Sequence, residues 1–353
     1  MPTPPFSGPL NAGFISAALP KHPALASFPL PSSPALSLKV KLPELPDFKM
    51  PKERIRRQLL GKRLAGDIAT GAGVGFVIAP FVTVIDKAIV EKASSGTPML
   101  ESCGQSILSV FRSPLAFCRS PQFLMGWACY AATYAAANSI RTMCDIRQAT
   151  PTTAKSSIFV GTTMANSSMT LVKDSYYAKA FGAASATATA IPTATYAAWL
   201  LRDFSVIGSS FILPDLCKQF LASGLEVDEV AAGRVSQVAC PVLAQVVAGP
   251  LQILGLDMYN RPLANLSWAE AAVARLNFQA SQFTSIVSAR VCRMTPAYGL
   301  GGVGNTWVRD HYNEWLFERE VARLAASEME VQQQAEVVVD LVMEKNNKWD
   351  WSS

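Results

Sequence analysis

Apolar residues gather into six runs between residues 68 and 308, with short polar stretches between them. The fifth run is the cleanest: Val235–Leu256 contains 22 residues and no charge. At ~1.5 Å per helical residue it is long enough to cross a hydrocarbon core of roughly 30 Å. The other runs are Ile68–Ile85, Ser120–Ile140, Ser156–Val172, a stretch between Ala180 and Pro214, and the glycine-rich Met294–Val308. Arg202–Asp203 interrupts the fourth run, and Pro192 marks the start of its straight part. The pattern predicts an all-α membrane protein with six transmembrane helices. The first, third and sixth are short for a bilayer and need support from packed neighbours.

The polar positions repeat. The first, third and fifth runs close on Asp86, Asp174 and Asp257, spaced 88 and then 83 apart, and each acid has a base nearby: Lys87, Lys173 and Arg261. Arginines follow the first and last of these acids at the same interval of 33 residues, at Arg119 and Arg290. The connector Gly96–Phe111 carries an amphipathic stretch suited to the membrane surface. Together these features predict three tandem two-helix repeats, about 67–150, 151–227 and 228–311, which bury their faces on one another. Small residues in GAGVG, GTTMANSS and GLGGVGN let helix backbones approach closely. Asn138, Asn166 and Gln245 sit deep in apolar runs and, with Arg119 and Arg290, are the candidates for lining a cavity.

The flanks differ from this core. Residues 1–50 are proline-rich and predict a flexible extended tail, and 51–66 form a short basic helix at the membrane edge. Residues 312–353 predict a soluble amphipathic C-terminal helix, with apolar positions three and four apart among Glu and Gln. Such a helix has a face to bury, on the protein's own open end or on a protein partner.

Composition sharpens this reading. Of 353 residues 16% are charged and 50% apolar, against about 25% charged in soluble domains. The net charge of +5 is not gathered into a basic stripe, which argues against a nucleic-acid partner. Seven cysteines without CxxC spacing and two histidines predict reduced thiols and no metal centre. Gly299–Gly304 satisfies GxGxxG, yet no strand pattern precedes it, so it predicts no dinucleotide cofactor. Without a nucleophile elbow or core histidine, no enzyme is expected.

Three two-helix units with charged pairs closing the odd helices resemble the mitochondrial carrier superfamily, over roughly residues 65–315. The resemblance implies a mitochondrial, preferably inner-membrane, multi-pass protein in contact with lipid. It also implies alternating access for a small (anionic) metabolite of unspecified identity. Asp86, Lys87, Lys173, Asp174, Asp257 and Arg261 would then form the gate. The motifs depart from that family. Pro80 and Pro250 stand six and seven residues before their acids instead of two, and the bases stand at +1, −1 and +4 instead of +3. These departures give the alternative expectation of a carrier-fold scaffold or docking protein that no longer transports.

Overall fold

A computed structural model describes residues 52–183, 190–211, 213–263 and 265–347, so the expected tail 1–50 lies outside the described residues. Every regular element among them is helical. In chain order they are α1 (Lys52–Gln58), α2 (Leu60–Ser95), α3 (Met99–Arg112), α4 (Pro114–Arg119), α5 (Pro121–Ile146), α6 (Pro151–Phe181), α7 (Thr193–Phe211), α8 (Leu213–Gly224), α9 (Glu229–Leu243), α10 (Gln245–Asn260), α11 (Trp268–Met294), a π-helical segment (Thr295–Val303) and α12 (Gly304–Asn347). Among the described residues, only Leu60–Ser95 and Ala239–Asn260 are long and apolar enough by themselves to cross a membrane. The six-span repeat therefore goes beyond what these helices establish.

Three boundaries differ from the sequence reading. The fifth run divides into α9 and α10 at Ala244, where the backbone stays in the right-handed helical region. Pro241 and Pro250 both lie inside this stretch and each lacks an N–H to give to the helix ladder. The sixth run is only the middle of a longer path, because α11 leads directly into the π-helical segment and α12. Ser267 starts α11 with a capping box, accepting from the Glu270 N–H while the Glu270 carboxylate accepts from the Ser267 N–H at 3.0 Å. Finally, the C-terminal helix begins at Gly304, before the expected 312.

Polarity along these helices is inverted relative to a water-soluble protein. On α2, Asp67, Thr70, Thr83 and Asp86 are buried while Ile68, Phe76, Val77 and Phe81 are exposed. On α6, Thr163, Ser167, Thr170, Lys173 and Asp174 form a buried stripe at helical spacing, whereas Val160, Met164 and Val172 face outward. On α7, Arg202 and Asp203 are inside and Leu201 and Phe204 outside. The short α3 repeats the pattern: Ser102 and Ser106 dock while Leu100 and Phe111 stand out. Water would penalise such an arrangement, whereas hydrocarbon around the helices favours it.

The described residues fall into two compact units, 64–309 and 52–63 with 310–347. Within the first, neighbouring helices form a closed circuit of contacts. Trp127 on α5 donates to the Ala72 carbonyl of α2 at 2.8 Å. Thr133 on α5 donates to Asn166 on α6 at 3.3 Å, and Ser175 on α6 to Tyr196 on α7 at 3.3 Å. Thr195 on α7 donates to the Gly255 carbonyl of α10 at 3.2 Å, and Arg275 on α11 to Asp257 on α10 at 2.6 Å. Arg293 on α11 closes the circuit on Asp86 of α2 at 2.9 Å. The α2–α5 contact is made by backbone. A Cβ at Gly71 would lie 2.6 Å from the Ala135 nitrogen, and one at Gly75 would lie 2.9 Å from the Ala131 nitrogen. This is a small-xxx-small contact of the membrane type.

In the second unit Ile55 and Leu59 pack with Leu316, Tyr312, Phe317, Val321 and Leu324. Arg63 donates to Asn313 at 3.3 Å, and Arg323 donates to Glu320. Every residue from 326 to 341 is exposed.

Candidate functional site: a buried charged centre

The closed circuit surrounds charge. Lys173 on α6 donates to Asp86 on α2 at 2.7 Å and to Asp174 at 2.7 Å. Arg202 binds Asp174, donates through Nε to Asp203 at 2.8 Å, and also reaches Gln252 on α10. Arg293 grips both oxygens of Asp86, at 2.9 and 3.2 Å. One helical turn before it, Arg290 is buried and donates through Nε to Gln245 at 2.9 Å. Helices α2, α6, α7, α10 and α11 thus each contribute to one interior cluster. Its charge is not balanced: Lys173, Arg202, Arg290 and Arg293 give four positive charges, Asp86, Asp174 and Asp203 three negative, for a net of +1.

Helix junctions frame this centre. At Ala244 α9 passes into α10, and the Gln245 side-chain amide donates to the Pro241 carbonyl at 2.9 Å. That bond leaves the Gln245 side-chain oxygen to accept from Arg290. On the opposite path the π-helical segment follows Arg293 directly, and Tyr134 donates to its Ala297 carbonyl at 2.7 Å. Such π-helical segments recur where proteins place functional groups.

Each end is held separately. At one end Asp67 accepts from Arg309 at 2.8 Å and from Thr142 at 2.5 Å, beside a buried amide pair, Asn138 and Asn305, joined by two 2.8 Å bonds. At the other, Asp257 binds Arg275 and Arg261. Ile89, Val90, Tyr177, Trp199, Ile253 and Leu256, on the helices that carry these charges, belong to one apolar cluster. Arg290 lies 15 residues from Arg275 and 19 from Arg309 along its helical path, roughly 22 and 28 Å at ~1.5 Å per residue. Along this helix the charged centre is therefore near the midpoint between the two ion-paired sets.

The family model for probable citrulline exporters matches residues 70–313, from within α2 to the first turns of α12. The chain belongs to the probable citrulline exporter family. No curated protein matches it. The family match overturns the resemblance to mitochondrial carriers, whose families give no match. The off-register prolines and bases described above are the physical sign of that difference. With the resemblance goes the ground for a mitochondrial location.

The candidate residues of the sequence reading are distributed unevenly. Asp86, Lys173, Asp174, Gln245 and Arg290 meet at the centre. Asp257 and Arg261 pair with each other but at the far end, where Arg261 also stacks over Phe278 at 3.9 Å. Asn138 belongs to the opposite end, and Asn166 accepts from Thr133 between α5 and α6. Two assignments are corrected. Lys87 is not paired with Asp86; its ammonium is taken up by Glu91, one helical turn further on. It lies 3.5 Å from Glu91 and donates to Ser106. Arg119 lines no interior, since it is exposed at the last turn of α4. The sequence reading missed Arg202, Asp203, Gln252 and Arg293 as site residues. Arg202–Asp203 left a usable signal, a charged pair inside an otherwise apolar run.

Proposed function

We propose that this protein is a multi-pass membrane exporter of citrulline or a close analogue, rather than an enzyme, and that it works by alternating access. The observation that carries the reading is the buried Asp86–Lys173–Asp174–Arg202–Arg293 network, held by helices whose outward faces are apolar. Ionisable groups inside membrane helices are costly and mark solute pathways. Membership of the probable citrulline exporter family supports citrulline as the solute.

In this reading, opening at either end breaks a terminal set, Asp67–Arg309–Thr142 or Asp257–Arg275, while the centre holds solute. The α6 stripe of Thr163, Ser167 and Thr170 offers hydroxyls to a ureido group, which both donates and accepts. Ser167 has a buried Oγ without a hydrogen-bond partner. The test uses cells loaded with labelled L-citrulline. Expression of the full chain should speed its release, and the double variant Asp86→Asn/Arg293→Gln, although present in the membrane, should not. Release that stays at the rate of untransformed cells would contradict the proposal.

A further inference from the structure

Two groups in the charged centre remain without the partners their chemistry requires. Arg290 is buried, only 3% exposed, yet its one hydrogen-bond partner is the neutral Gln245, and among the described residues no carboxylate pairs with it. Asp203 is 6% exposed and uses only one oxygen: Oδ1 accepts from Arg202, whereas Oδ2 is buried and has no donor. Each state is costly. A buried guanidinium has five N–H groups to satisfy, and a buried carboxylate oxygen without a donor forfeits its hydration. Their neighbours Asp86, Asp174, Lys173, Arg202 and Arg293 are all matched to opposite charges.

The two unmatched groups belong to one place. Helix α10 stands between them in the circuit and touches both sides, with Gln245 on Arg290 and Gln252 on the Arg202–Asp203 pair. Gln245 and Gln252 are seven residues apart, two turns of helix, and so share a face.

We infer that Arg290 and Asp203 form the two halves of a zwitterion subsite, taking the α-carboxylate and the α-ammonium of a free amino acid. The inference rests on the export reading above and assigns the end of the solute that every α-amino acid has in common. A carboxylate fits a guanidinium fork in bidentate fashion, and an ammonium supplies the donor that Asp203 Oδ2 lacks. Binding would correct both mismatches at once. A ligand with only the carboxylate would leave Asp203 unsatisfied, and one with only the amine would leave Arg290 unpaired. The requirement is thus for both groups on one molecule, and the side chain is left to other contacts.

The test is ligand-induced thermal stabilisation of the full-length protein in detergent. The probes are L-citrulline, L-ornithine and L-leucine, each compared with its α-amide and its Nα-acetyl derivative. L-citrulline should bind, and its amide and acetyl derivatives should each bind at least tenfold more weakly. Arg290→Gln and Asp203→Asn should lose tenfold or more for the intact amino acid while Arg290→Lys, which keeps the charge, recovers part of it. Asp203→Asn disturbs Arg202 as well; if that variant does not fold, the Arg290 pair and the ligand derivatives decide the matter. Equal binding of either blocked derivative, unaltered binding by Arg290→Gln, or no binding of any α-amino acid would overturn the inference. If L-leucine or L-ornithine binds with both groups required and L-citrulline does not, the subsite stands and the citrulline reading falls.

Discussion

Asp86→Asn removes a carboxylate that Lys173 and Arg293 share. Lys173 keeps Asp174 at 2.7 Å, but Arg293 keeps no carboxylate among the described residues. The cluster's charge rises from +1 to +2. Removing one partner of a buried pair costs about 3–5 kcal/mol. The lower end applies here, because the Arg293 side chain is 18% exposed. Lys173→Met should cost less than Asp86→Asn, since Asp86 retains Arg293, Asp174 retains Arg202, and the charge becomes zero. In the double variant two acids, Asp174 and Asp203, face three bases, Arg202, Arg290 and Arg293, and the charge returns to +1. Its cost should fall short of the sum of the singles by about 0.5–3 kcal/mol, the usual range for side chains in one network. Equilibrium unfolding in mixed micelles with increasing SDS, read by tryptophan fluorescence, measures all four proteins. Additivity within about 0.5 kcal/mol would refute the claim that these groups form one coupled centre.

Other outcomes follow from the packing. Gly71→Val should separate α2 from α5, because the added carbon meets Ala135 backbone that cannot turn aside. A cost of about 1–3 kcal/mol is expected in the same unfolding assay, with Gly73→Val, which faces open space, much milder. Ser267→Ala removes the cap of α11 and should cost about 1 kcal/mol. Hydrogen bonds from the Ser267 hydroxyl and N–H hold the Glu270 carboxyl below its usual range. The stabilisation they give is therefore present above about pH 4.3 and lost as pH falls through the lowered value, which unfolding of Ser267→Ala against wild type across pH 2–6 should display. Truncation after Ala325 should leave the 52–63/310–347 unit stable to proteolysis. Truncation at Arg319 removes Glu320, Val321 and Leu324 from it and should expose Ile55 and Leu59.

Helical class, the small-residue contact of α2 and the interior position of Gln245 were legible because each is local: a periodicity, or a polar residue inside an apolar run. Asp86 and Asp174, read as closing their runs, instead lie within the longer helices α2 and α6. The partners were not. Asp86 finds Lys173 and Arg293 at 87 and 207 residues' distance, while sequence proximity pointed to Lys87, which pairs with Glu91 instead. Arg119 and Arg290 share an interval of 33 residues from an acid yet differ in fate. The first repeat spends that interval on α3 and α4, whereas the third has already entered α11. Helix α11 itself escaped notice because Arg275, Arg290 and Arg293 lower its hydropathy, although all three turn toward Asp257, Gln245 and Asp86. A family resemblance built on regular spacing was likewise misled, since spacing reports helix length and number rather than which solute the interior receives.

The central claim is that a charged interior between two ion-paired sets moves citrulline across a bilayer, and counterflow in liposomes tests it most directly. Full-length protein is reconstituted into vesicles preloaded with unlabelled L-citrulline, and entry of labelled L-citrulline is followed. The account predicts a transient accumulation above equilibrium, absent with Arg290→Gln and reduced when the outside holds excess unlabelled L-citrulline. Label that enters no faster than in protein-free vesicles, from protein shown to be folded and inserted, would contradict it.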